Sequence, residues 1–370
     1  VFAADAPTSE QIGKQIDGAA AFLEESKDTF GVDDAVLFSI IAESGADLSD
    51  YDDAFINDVK ANLQANDGRI VSTYGESLET YAAVIVSLLE LGEDPEDFNG
   101  YDIVKVFFAM DPTVEPYSLN YYRIITTAAY YYTEEDTSFI EAVCDTYIAN
   151  HYVEGAGVSY YNEYSCDSLA YFIVALSNAY YLTDKYDQIL EDSIMLLDTY
   201  KTDGGYFYNS VYGTEPNADS TALALLAHSS YMTDAEFLDE TDSYYDNLNS
   251  IYADLCSFEV STGVFAYTKD GEANSYATQE ALMALSSYYT DVVFKEYLDS
   301  LGDDNDNNND DNVATETTKK SNKTEQKETT TNEDTTKKSP NTGANPTAIS
   351  AVFALCAAAG AVVVLKKKEK

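Results

Sequence analysis

The 370-residue sequence has no tryptophan, two histidines, four cysteines and 20 Lys and Arg set against 66 Asp and Glu. Each scarcity closes off a class of function. A nucleic-acid binder needs a stripe of cations to displace counterions from phosphates, and a net charge of −46 leaves no such stripe in the body of the chain. Adhesion to an anionic membrane surface is excluded for the same reason. The histidines, His151 and His228, have no Cys or His neighbours at ligand spacing, so no metal and no cofactor are expected. Cys356 lies in a terminal apolar run. That leaves Cys144, Cys166 and Cys256, an odd set without C-x-x-C spacing. Buried thiols are expected there, with a Cys144–Cys166 bridge as the alternative. What is abundant is apolar material, 45% of residues, and tyrosine, 32 in all. That is enough for a packed core despite the acidity.

The charge divides the chain. Residues 1–300 hold 55 acidic and 10 basic side chains, net −45, while 301–370 hold 11 and 10, net −1. Residues 302–338 contain almost no large apolar side chain and read as a solvated stalk, because they cannot bury enough surface to offset their ordering entropy. Beyond them come Ser339-Pro340-Asn341-Thr342-Gly343, an apolar run over 348–365 and the basic end 366–370. The run is just long enough to span the hydrocarbon core as a helix, with the lysines held on the cytoplasmic side. This order resembles the cell-wall sorting signal of Gram-positive surface proteins. The resemblance implies that a sortase joins Thr342 to the peptidoglycan precursor and leaves the protein covalently on the wall; Ser339 stands where the usual residue is Leu. Residues 1–6, ending Ala3-Ala4-Asp5-Ala6, look like the remnant of a signal peptide.

Between these ends, 7–301 reads as one all-α domain. Segments 34–46, 78–91, 119–132, 168–182, 220–232 and 277–290 begin 41 to 57 residues apart and are apolar on most sides, as in SLAYFIVALSNAYYL and STALALLAHSSYM. Helices of that kind are buried all round. More polar segments with acidic faces alternate with them, at 9–27, 51–65, 101–110, 135–150, 184–200, 235–258 and 291–301. About six inner and six outer helices in alternation predict two concentric rings, an α/α toroid, ahead of an open solenoid or a bundle.

The connectors into the inner segments repeat as well. Gly157 to Tyr161 precedes Cys166-Asp167-Ser168, and Gly204-Gly205-Tyr206-Phe207-Tyr208 precedes Asn217-Ala218-Asp219. Gly263 to Tyr267 precedes Asn274-Ser275-Tyr276. Glycine permits the turn, an aromatic packs on the helix ends, and a small polar residue caps the next helix. These connectors, clearest over 155–290, resemble the prenyltransferase/squalene-oxidase repeat of the terpenoid-cyclase-like toroids. The zinc ligands of the prenyltransferases and the thioester tetrapeptide of complement-like toroids are missing from 1–300, and the one Asp-x-Asp-Asp tetrapeptide there, Asp50-Tyr51-Asp52-Asp53, falls at the start of the polar segment 51–65 and not in an apolar one.

The reading that follows is a non-catalytic surface module that binds an extracellular glycan, peptide or small molecule at a tyrosine-rich acidic mouth. The candidate residues are Tyr160, Tyr161, Asp167, Tyr206, Tyr208, Asn217, Asp219, Tyr267, Asn274 and Tyr276, with the sorting signal at 339–343. One alternative is a surface polysaccharide hydrolase or lyase. It needs paired carboxylates, and Glu79, Asp167, Asp219 and Glu280 lie near inner-helix starts. The other is a corrinoid-binding toroid. Plugging of the barrel end by the tyrosines, and helix capping by Asp167 and Asp219, are the purely structural roles open to the same residues.

Overall fold

The computed structural model describes residues 6–306 apart from 119, 132–135, 181 and 232–240, and only the backbone of 241–242 and 297–306. The signal-peptide remnant (but for Ala6), the stalk from 307 onward, the sorting motif and the apolar terminal run lie outside the described residues. Among those described, no helix is long and apolar enough to cross a membrane.

The architecture is mainly helical. Twelve helices are described: α1 (Ser9–Glu24), α2 (Ala35–Glu43), α3 (Asp52–Ala65), α4 (Leu78–Glu90), α5 (Ile103–Ala109), α6 (Tyr121–Tyr130), α7 (Ser138–His151), α8 (Cys166–Tyr180), α9 (Asp187–Leu197), α10 (Ala218–Ser230), α11 (Thr241–Cys256) and α12 (Ser275–Asp306). The even-numbered helices match the segments read as apolar on most sides. In α10 only the terminal Asp219 and Ser230 escape full burial, whereas α3 buries a single stripe, Phe55, Val59 and Leu63. A helix with apolar residues all round loses least free energy when neighbours surround it, and a helix with one stripe belongs outside. The packing follows that logic. α2 packs on α4, α4 on α6, α6 on α8, α8 on α10, α10 on α12, and α12 returns to α2. Outside them, α5 packs on α4, α7 on α6, α9 on α8, α11 on α10 and α1 on α12.

Two details differ from the sequence reading. The segment 291–301 is not a separate outer helix but the continuation of α12, which runs unbroken for 32 residues and takes in the first residues assigned to the stalk. No Gly or Pro interrupts 277–301, and Asp291 is buried against α10 and its own helix, bonded to Ser229 Oγ, which also meets Ser287 Oγ at 2.6 Å. The connectors also contain short antiparallel strands. β1 (Tyr152–Val153), β2 (Gly157–Tyr160) and β3 (Glu163–Tyr164) precede α8; β4 (Lys201–Thr202) and β5 (Gly205–Tyr206) precede α10; β6 (Glu259–Ser261) and β7 (Val264–Phe265) precede α12. Cys144 and Cys166 are buried free thiols, and no bridge joins them.

First and last elements close on each other. Gly263 has φ +75°, and a Cβ there would fall 1.9 Å from the Gln15 carbonyl oxygen; a Cβ on Gly18 would fall 2.1 Å from the Thr262 carbonyl oxygen. Only two glycines let the β6–β7 turn lie on the backbone of α1. Polar bonds pin the same contact: Gln15 Nε2 donates to Glu259 at 3.1 Å, and Ser9 donates through N and Oγ to Glu296 at 3.0 and 2.8 Å.

Candidate functional site

The connectors into α10 and α12 are built alike, and their repeat fixes what reaches the surface. Asn217 Oδ1 accepts from the Ser220 amide at 2.9 Å, and Asn274 Oδ1 accepts from the Ala277 amide at 3.0 Å. These two candidates are therefore the caps of α10 and α12, with Asn217 buried. Ser165 and Ser77 do the same for α8 and α4. Thr221 Oγ1 accepts from the Tyr206 amide, as Thr278 Oγ1 does from that of Phe265. Tyr206 and Phe265 thus occupy one structural position, and both are fully enclosed. The Tyr206 hydroxyl reaches Asp198 at 3.0 Å and His228 Nε2 at 3.3 Å, so it anchors the wall and presents nothing to a ligand. His228 is a core imidazole satisfied by these partners and by Asn247.

Because Ser165 and Asn217 are the caps, Asp167 and Asp219 are not. Glu79, Asp167 and Asp219 all sit two residues past their caps, in the first turns of α4, α8 and α10. At the matching place α12 carries Tyr276, and its acid comes one turn later, at Glu280. The structure brings Asp167, Asp219 and Glu280 together. Burial, the larger cause, pushes the Asp167 carboxyl up to about 6 against the opposing hydrogen bond from Ser220. Burial and then the Asp167 charge push Asp219 up to about 7. Burial followed by both aspartates holds Glu280 well above the usual range. Ser220 Oγ donates to Asp167 at 2.6 Å, and Tyr171 OH approaches Glu280 at 3.4 Å. Asp219 Oδ1 and Glu280 Oε2 are shut off from solvent without any hydrogen-bond partner. Glu79 stands apart, bonded to Ser118 at 2.7 Å and to Asn120.

Exposed tyrosines recur on the connectors at this end of the helices. Each connector entering α4, α6, α8 and α10 bears an exposed one: Tyr74, Tyr117, Tyr161 and Tyr212. At α12 the set is completed by Tyr267 and by Tyr276, which is 73% exposed. Neighbouring connectors are stitched together. Tyr74 and Tyr117 stack at 5.9 Å, Tyr160 OH donates to the Tyr117 carbonyl at 2.7 Å, and Tyr212 OH donates to Glu163 at 2.7 Å. Tyr208 and Tyr267 lie within range of the acids: Asp167 acts on both phenols, and Asp219 on Tyr267.

Sequence reasoning missed Tyr74 and Tyr117, and also a buried ion pair. Arg123 Nη1 meets Glu43 Oε2 at 2.7 Å with side chains 1% and 5% exposed. Arg123 Nη2 donates to Tyr122 OH at 3.0 Å; the Tyr122 ring stacks on Tyr171 at 5.8 Å, and Tyr171 touches Glu280. A run of contacts, polar bonds with one aromatic stack between them, thus links Glu43 to Glu280. Its only advance signal was an Arg inside an otherwise apolar helix.

Among the described residues no group of His, Cys, Asp and Glu is arranged to hold a metal ion. Comparisons with protein-family models, curated proteins and solved structures return no match. The site therefore rests on its own geometry.

Proposed function

We propose that residues 7–301 form an α/α toroid of the prenyltransferase/squalene-oxidase repeat type, held on the wall of a Gram-positive cell by the sorting signal at 339–343. In this reading it binds an extracellular ligand at a tyrosine-ringed acidic mouth. The support for closure is the return of α12 to α2. The observation that carries the binding reading is the part-buried trio Asp167, Asp219 and Glu280, with two unpartnered oxygens at the end of the helices where exposed tyrosines gather. Leaving such oxygens unmet costs about 1–3 kcal/mol each, a cost that a bound donor would remove. Tyrosine supplies apolar area and a polar tip at low entropy cost, as recognition surfaces require.

Replacing Tyr267 and Tyr276 together by Ala is expected to weaken binding of the cognate ligand at least tenfold, or about 1.4 kcal/mol, with little change in Tm. A screen of glycans, peptides and amines by calorimetry reads this; wild-type affinity in the variant would refute the mouth. Anchoring has its own test. Thr342→Ala is expected to move the protein from the wall fraction to the membrane fraction, and unchanged wall attachment would rule out sortase processing.

The upward shifts of the Asp167 and Asp219 carboxyls, driven first by burial, favour a second reading. Carboxyls raised in this way favour a proton held beside an ionised neighbour, the pairing that glycoside cleavage uses. Turnover of a polysaccharide that stops in Asp219→Asn would select this reading.

A further inference from the structure

We propose that His151 is a proton-operated latch: its doubly protonated ring holds the connector between α5 and α6, which carries Tyr117, and loss of one proton frees it. The proposal goes beyond the binding reading above and does not depend on it.

The ring lies where three chain segments meet. His151 ends α7; its Nδ1 stands 2.9 Å from the Ser159 carbonyl oxygen of β2, and its Nε2 stands 3.1 Å from Glu115 Oε1 in the connector. Carbonyl and carboxylate oxygens only accept, so each contact needs an N–H. A neutral imidazole has one N–H, and either tautomer leaves a lone pair facing an oxygen. Only the imidazolium satisfies both. The C-terminal end of α7 favours it as well, because a cation there meets the negative pole of the helix.

The remaining groups around the ring do not supply the switch. Tyr121 of α6 and Tyr147 of α7 meet the imidazole edge-on with centroids at 6.0 and 5.6 Å, and Tyr160 of β2 lies at 5.9 Å. Burial, the largest cause in each, pushes all three phenols up, so they keep their protons between pH 5 and 8. Glu79 of α4 acts on this group through Tyr160. Among the described residues no Lys or Arg lies within ion-pair reach of Glu115; Asn150 Nδ2 donates to the same oxygen at 2.8 Å. Within the connector, bonds from Thr113 hold the Asp111 carboxyl below its usual range, so it stays ionised throughout. The His151 side chain is 13% exposed and that of Glu115 51%, which gives the proton a way to water.

The latch acts on the stack of Tyr117 with Tyr74. Ser118 binds Glu79, and Tyr160 OH binds the Tyr117 carbonyl, so the far end of the connector stays tied when Glu115 is released. Closure takes up a proton; the connector is therefore held at low pH and loosens as the pH rises.

The test follows the full chain from pH 8 to 5 by two measurements. With histidine labelled at Cε1, NMR shows the two ring signals, and His151→Gln tells them apart. Hydrogen exchange, corrected for its intrinsic dependence on pH, follows the amides of 113–117. Expected is a His151 signal that moves to the imidazolium position as the pH falls, with about tenfold slower exchange of the connector along the same curve. In Glu115→Gln the side-chain amide can donate to a neutral ring, so the connector is expected to be held equally at both ends of the range. Glu115 is exposed, so this variant folds even where circular dichroism shows His151→Gln does not. A His151 signal that stays fixed from pH 8 to 5 overturns the proposal. So does connector exchange that ignores the ring, or that keeps its pH dependence in Glu115→Gln.

Discussion

Arg123→Met is expected to lower the unfolding free energy by about 3–5 kcal/mol, because it strands the Glu43 carboxylate in a site that water does not reach. Burial already pushes the Glu43 carboxyl up, and Arg123 is the group that opposes this. Without it, Glu43 takes up a proton and keeps a buried polar group without its partner. Adding Glu43→Leu removes that group and is expected to restore most of the loss, since well-packed apolar side chains commonly replace buried ion pairs at little cost. Urea titrations of the wild type, the single variant and the double variant at pH 7 measure this. A double variant no more stable than the single one would show that the loss comes from packing rather than from the stranded charge.

Stability is expected to rise as the pH falls from 8 to 5. Asp291, buried beside Ser229, has its carboxyl pushed from 3.8 to about 7, and Asp219 and Asp167 are raised to about 7 and about 6. In the unfolded chain these groups release their protons near pH 4. Between pH 4 and 7 the folded state therefore binds more protons than the unfolded state, and the unfolding free energy falls as pH increases. Asp291 alone accounts for as much as about 4 kcal/mol between the two ends of that window. Asp33 and Asp198 act the other way: Thr73 lowers the first, and His228 and Tyr206 lower the second against its burial, so their contribution is lost only below about pH 4. Asp291→Asn keeps an oxygen for Ser229. It is expected to gain a few kcal/mol at pH 8, nothing at pH 4, and to flatten the profile between them. Denaturant unfolding of both proteins at pH 4, 6 and 8 would refute the assignment if their difference did not change with pH.

The helix layers were legible because burial on all sides leaves a compositional trace. Ala, Leu and Ser fill every face of α8 and α10, while α3 shows a stripe of three. The unbroken α12 was obscured by the repeat itself. Each earlier inner segment is followed by a turn, and only the absence of a breaker over 277–301 marks the exception. Within the site, Asp167, Asp219 and Glu280 were recognisable from their places near helix starts. Capping competed as an explanation until Ser165 and Asn217 were seen to fill that role. Tyr206 was misleading for a related reason. Its connector resembles those that carry exposed tyrosines, yet its own ring occupies the wall position that Phe265 fills in the next repeat. Glu43 and Arg123 are 80 residues apart, and nothing local announces that they meet.

The length of α12 has one consequence for presentation. Its first turn carries Tyr276 at the mouth, and its 32 residues extend about 48 Å along a single axis at 1.5 Å per residue. The C-terminal end of α12 therefore lies far from the exposed tyrosines, and under the proposed anchoring a tether attached downstream would leave those tyrosines turned toward the surrounding medium.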